Sequence, residues 1–109
     1  MLKTDFKFGE VNNLSAQIES DSDHVKVRNI FNNENGGITL LALKHGQKLD
    51  EHLAPAELMV TVLEGEIVFT MIDRPHVIRA GEFMLVGQNV LHSVVANADS
   101  KVMLVKIKA

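Results

Sequence analysis

Gly46-Gln47-Lys48-Leu49-Asp50-Glu51-His52-Leu53-Ala54, continuing to Leu58 and Gly65, and Gly81-Glu82-Phe83-Met84-Leu85-Val86-Gly87-Gln88-Asn89, continuing to His92 and Ala96, are the stretches on which the fold turns. Gly46, Gly65 and Gly81 each fall between apolar runs, where a tight reversal calls for positive φ. The runs themselves are short and β-branched, at 25–30, 38–43, 58–63, 67–72, 76–79, 83–86, 92–95 and 102–107. Asn32-Asn33-Glu34-Asn35-Gly36-Gly37, Glu64-Gly65-Glu66, Asp73-Arg74-Pro75, Ala80-Gly81 and Ala96-Asn97-Ala98-Asp99-Ser100 separate them. This is the punctuation of an all-β sandwich or barrel, and connections so short favour antiparallel neighbours. The first 24 residues are less regular and read as an N-terminal arm or short helical turn, leaving 25–109 for the barrel.

At 109 residues the chain has the size of one domain. A net charge of -3, from 14 acidic and 11 basic residues, offers no basic stripe for nucleic acid or an anionic membrane. No segment has the length and apolarity of a membrane span, and the start lacks a secretory h-region, so a cytoplasmic protein is expected. Zero cysteines exclude disulfides, thiolate ligands and cysteine nucleophiles, and without tyrosine no phenol can donate a proton.

Side chains two apart share a strand face, so Leu58, Val60 and Val62 lie on one side of their strand and Met59, Thr61 and Leu63 on the other. Both sides are largely apolar. The second side is therefore covered either by the N-terminal arm or another strand, or by a second copy in a homodimer.

The paired segments resemble the motifs of the cupin family. The first family motif runs Gly, five residues, His, one residue, His, three or four residues, Glu, six residues, Gly. Here Gly46, His52 and Gly65 match, while Ala54 and Leu58 stand where the second His and the Glu belong. The second motif runs Gly, five residues, Pro, one residue, Gly, two residues, His, three residues, Asn. Gly81 and His92 match, and Gly87, Asn89 and Ala96 replace the other three. The resemblance spans 46–96 and implies a double-stranded β-helix, that is, a jelly-roll β-barrel.

In that family three His and one Glu hold a divalent ion inside the barrel, and His52 and His92 are the two positions this chain keeps. Iron, manganese, nickel and zinc sites generally use three or four protein ligands, so any metal would be weakly held, if bound at all. Glu57 is one residue from the lost carboxylate and points to the opposite face unless a bulge intervenes. His45 and His76 read as loop-edge residues and His24 as a surface residue. Ser93, His92 and Asp99 do not make a triad, because neighbours on a strand face opposite ways.

The leading expectation is a small molecule bound in a barrel pocket of His52, Leu58, Val60, His92 and Val94, with two imidazoles orienting it against an apolar wall. The alternative is a metal-dependent enzyme of dioxygenase or isomerase type with a two-histidine site. A purely structural protein predicts that the two imidazoles are buried and satisfied by one another.

Overall fold

The computed structural model describes residues 1–108, so of the expected barrel only Ala109 lies outside the described residues. Nine strands follow one short 3-10 turn, Ser15–Gln17: β1 (Lys26–Asn33), β2 (Gly36–Leu43), β3 (Lys48–His52), β4 (Ala56–Glu64), β5 (Glu66–Met71), β6 (Arg74–Arg79), β7 (Phe83–Val86), β8 (His92–Ala96) and β9 (Ser100–Lys108). They form two antiparallel sheets, a five-stranded one ordered β1-β2-β9-β4-β7 and a four-stranded one ordered β3-β8-β5-β6. Consecutive strands alternate between the sheets along much of the chain, which is the winding of a jelly roll.

The interior is packed by Leu41, Leu43, Leu58, Val60, Val62, Ile67, Phe69, Ile78, Val86, Val94, Ala96 and Val102, drawn from both sheets. Strand β4 shows why: its alternate residues Ala56, Leu58, Val60 and Val62 are buried, while those between them are not. Strand β2 differs. Leu40, Leu41, Ala42 and Leu43 are all buried, because the outer side of this strand meets Leu14 and Ile18 of the arm together with Ile30, Leu63 and Met103. A strand covered on both sides reads as a continuous apolar run, as this one does. The arm is further tied down by a two-way backbone pairing of Lys3 with Asn32 and by the ammonium of Lys101, which donates to the carbonyl of Ser15 at 2.7 Å.

Gly46, Gly65 and Gly81 all adopt positive φ, at 89°, 84° and 86°. Two turns differ from expectation. Strands β1 and β2 run on to Asn33 and from Gly36, so the Asn/Gly-rich break shrinks to a two-residue connection. Asp73-Arg74-Pro75 is not a turn as a unit: Ile72 and Asp73 reverse the chain at φ 50° and 61°, and Arg74 and Pro75 already pair with Met71 and Thr70. Pro75 is tolerated because β6 is an edge strand, where a missing N–H breaks no ladder. Strand β3 had no apolar run to announce it, since Lys48-Leu49-Asp50-Glu51-His52 is nearly all polar and mostly exposed.

Candidate functional site

One end of the barrel interior is closed by His52 and His92. They sit directly opposite one another in the β3–β8 pairing, with Leu49 opposite Val94 further along. From Leu49 to His52 is three residues, but from Val94 to His92 is two, so β3 carries one extra residue. Leu49 faces the core, and regular alternation would turn position 52 away from it. The bulge restores His52 to the inner side, and so the first segment delivers an imidazole where it would otherwise miss.

The two Nε2 atoms stand 2.9 Å apart. Each Nδ1 is hydrogen-bonded to a backbone carbonyl two residues earlier, His52 to Asp50 at 3.0 Å and His92 to Val90 at 2.9 Å. A carbonyl oxygen can only accept, so both Nδ1 atoms must donate. Two neutral rings held this way aim lone pairs at each other across 2.9 Å. Reversing one tautomer would relieve that contact only by setting a bare Nδ1 against a carbonyl, losing a hydrogen bond whose absence costs about 1–3 kcal/mol when buried. A single positive charge between the rings, carried by a proton or another cation, removes the conflict.

His92 is 3% exposed, whereas His52 is open to solvent. Burial holds the His92 imidazole below its usual range, the hydrogen bond to Val90 works in the opposite direction, and the neighbouring His52 adds to the lowering. His92 is thus the natural acceptor of the pair. Its ring lies nearly parallel to that of Phe69, with centroids 5.2 Å apart and planes inclined by 17°, while the His52 ring meets it edge-on at 4.1 Å. Met71 is opposite His92 on β5, and Leu49, Ala54, Met71, Met84 and Val90 are partly buried against the core. The pair therefore borders the apolar interior at Phe69 and Met71.

Of the sequence-derived pocket residues, Leu58, Val60 and Val94 are 6%, 0% and 5% exposed and form part of the packed core behind the imidazoles. Solvent reaches the pair from the His52 side. Ala54 and Leu58 put apolar volume where the family motif has donors, and Glu57 is exposed on the far side of β4, beyond reach of the site. The β4 irregularity lies between Val62 and Glu64, so no bulge turns Glu57 inward. His45 is exposed in the turn after β2, and its backbone N–H donates to Asp99 at 2.9 Å. His76 is half-buried on β6 opposite Phe69, rather than at a solvated hairpin end. Among the described residues no group of three or more His, Cys, Asp or Glu is placed to hold a metal.

A sequence profile described as a cupin domain matches residues 39–108. The chain belongs to the cupin family. Solved structures agree with this cupin barrel over nearly its full length. A cupin superfamily protein from Desulfitobacterium hafniense superposes with a TM-score of 0.89 at 17% identity, covering 100% of this chain and 99% of the other. A conserved protein of unknown function from Streptococcus pyogenes gives 0.87 at 23% identity, covering 95% and 91%. An RmlC-like cupin from Desulfovibrio desulfuricans gives 0.81 at 27% identity, covering 90% and 95%. No functionally curated protein matches the chain in sequence.

Cupin metal chemistry can be tested against these residues. Two nitrogens bound at about 2.0–2.1 Å and at right angles on one ion are about 2.9 Å apart, and metal-ligating histidines commonly donate their other N–H to a carbonyl. The imidazole pair thus suits two positions on an ion. The remaining motif positions, Ala54 and Leu58, offer no donor atom, so the residues present do not make the family's metal site.

The signals missed in the sequence are Phe69 and the carbonyls of Asp50 and Val90. The alternation of Ile67, Phe69 and Met71 marked an inward face, but only the β5–β8 pairing puts the Phe69 ring beside His92.

Proposed function

We propose that this cupin binds a small molecule at the His52 end of the barrel, with an apolar body against the Leu49, Ala54, Met71 and Val90 side chains and an anionic head group at the imidazole pair. The supporting observation is the hydrogen accounting of that pair. Both Nδ1 atoms are committed to carbonyls, and the Nε2 atoms 2.9 Å apart favour one shared positive charge. A cationic group bordered by apolar side chains and open on one side is suited to a carboxylate with a hydrocarbon tail. An anionic head group beside the exposed His52 ring is held by the shared charge alone, because all three N–H hydrogens of the pair are already committed to the two carbonyls and to the opposite ring.

The test uses benzoate and hexanoate as probes, with hexanol as the uncharged counterpart, following the imidazole resonances of metal-free protein. Saturable shifts at His52 and His92 are expected. Hexanol should bind about fivefold more weakly than hexanoate, the worth of about 1 kcal/mol from one unit charge about 4 Å away in water. His52→Ala should abolish the discrimination. Equal affinity for the acid and the alcohol would contradict the head-group reading. Stoichiometric metal retained by tag-free protein, and lost in both His52→Ala and His92→Ala, would replace it with a two-histidine metal enzyme.

A further inference from the structure

The inner side of β9 changes from apolar to cationic along the strand. Residues paired across a ladder share one side of the sheet, so Val102, Leu104, Lys106 and Lys108 lie on the same side as their β4 partners Val62, Val60, Leu58 and Ala56. Val102 and Leu104 pack in the core, whereas Lys106 and Lys108 are exposed. The row of Lys106 continues through Gly37 of β2 and Asn32 of β1 to Lys3 of the arm. At about 4.8 Å per strand the backbones of Lys3 and Lys106 stand about 14 Å apart, with Asn32 and the bare Gly37 between them. Position 37 has to be bare, because a Cβ there would run into the Phe31 carbonyl and the Asn32 side chain. The gap is a groove of about 410 Å³, lined by Lys3, Lys106 and Lys108 among others. That volume falls in the range of small-molecule sites, about 300–1,000 Å³.

We propose that this groove binds a phosphoryl group, as inorganic phosphate or as the phosphate of a small phosphorylated molecule, between Lys3 and Lys106 over Gly37. Charge argues for an anion. The three lysines share the groove with one carboxylate, Glu34, in a chain whose net charge is -3. The lysines that do form ion pairs among the described residues, Lys44, Lys48 and Lys101, all lie elsewhere. Ammonium groups gathered without a counter-charge repel one another, and a multivalent anion between them turns that repulsion into attraction.

The neutral groups of the groove favour phosphate over a single carboxylate. Thr39 lines it with a half-buried hydroxyl, and Asn33 lines it with a side-chain amide whose oxygen accepts from the Asn35 N–H at 2.8 Å, which leaves the amide nitrogen to donate elsewhere. A phosphate monoester carries a charge of about -1.5 to -2 at neutral pH and offers three accepting oxygens. It can therefore meet two ammonium groups and a neutral donor at once, where a monocarboxylate balances only one cation. Lysine serves phosphate as a point charge on a flexible stem, so the site needs no planar fork. Neither His52 nor His92, nor any apolar side chain beside them, lines the groove, so this site and the imidazole site stand or fall separately.

Amide and imidazole resonances of the full chain, followed at a constant ionic strength of about 50 mM to limit screening, test the site by titration with inorganic phosphate, glucose 6-phosphate and glucose. Saturable shifts at Gly37, Thr39 and Lys106 are expected with both phosphates and none with glucose, while His52 and His92 stay in place. Tighter binding of glucose 6-phosphate assigns the groove to a phosphorylated molecule, and equal or tighter binding of inorganic phosphate assigns it to the free ion. Lys3→Gln and Lys106→Gln should each weaken binding at least about fivefold, the worth of one unit charge about 4 Å away in water. Thr39→Val, which keeps the shape and removes the hydroxyl, should weaken it as well. Lys48→Gln, on β3 of the other sheet, should change nothing. An affinity unchanged in both lysine variants would overturn the proposal, as would shifts confined to the imidazoles or no saturation by either phosphate up to about 10 mM.

Discussion

Phe69→Ala is expected to lower the unfolding free energy by about 3–5 kcal/mol, the range for removing a fully buried aromatic ring. Phe69 is 1% exposed and heads the largest fully buried side chains. It stands opposite Val94 on β8 and opposite His76 on β6, so three strands of the smaller sheet lose a shared neighbour when it is truncated. Its ring also forms the floor beneath His92. Urea unfolding measures the loss, and Phe69→Leu, which keeps most of the volume, should cost no more than about 1.5 kcal/mol. A loss below about 1 kcal/mol for the alanine variant would mean that the ring is not packed as described. The same substitution should broaden the His92 imidazole signals, because the ring loses the surface that fixes its orientation.

Gly65→Ala should be nearly as damaging, at about 3 kcal/mol, combining left-handed backbone strain with a steric displacement. Gly65 links β4 to β5 at φ 84°. A Cβ there would run into the carbonyl oxygen of Asp99 and the hydroxyl of Ser100. Neither can retreat cheaply. Ser100 is 2% exposed, its hydroxyl accepts from the Glu66 N–H at 3.1 Å and donates to the Ala98 carbonyl at 2.7 Å, and its backbone begins β9. Yielding would leave buried polar groups unpaired at the junction of both sheets. Thermal unfolding of Gly65→Ala beside Gly81→Ala separates the two contributions, because Gly81 has a similar φ of 86° but open space around its missing Cβ. Equal losses would assign the whole effect to backbone strain and deny the close approach at Gly65.

The barrel was legible because its reversals are chemical. Gly46, Gly65 and Gly81 needed only positive φ to be understood, and β7 begins and ends at the bounds read from its apolar run. Strand β3 escaped notice because its partners, not its own side chains, make it a strand: four of its five residues are exposed. Asn89 shows how a departure from a motif can keep its geometry. It takes the glycine's place at φ 58°, a conformation that asparagine tolerates better than most residues, and its N–H donates to the carbonyl of Ala54 at 2.9 Å.

The site was legible only in its two imidazoles. Spacing aims His52 and His92 at one interior, but nothing in local sequence announces the β3 bulge that finishes the aim, nor the carbonyls that decide the tautomers. The apolar side chains behind them were expected to line a pocket. Leu58, Val60 and Val94 fill the interior, which leaves the His52 side as the approach. Whether inward-facing side chains line a cavity or close it depends on the distance between sheets, and sequence periodicity carries no information about that distance.

Both Nδ1 atoms are expected to be protonated, with the facing Nε2 atoms sharing one positive charge. Long-range proton–nitrogen correlation of the imidazoles in uniformly nitrogen-15-labelled, metal-free protein at neutral pH reads this directly. Nδ1–H on both rings and a proton between the Nε2 atoms are expected, with His92→Ala removing the shared-proton signal. Two neutral rings, with His92 protonated at Nε2 and bare at Nδ1, would contradict it.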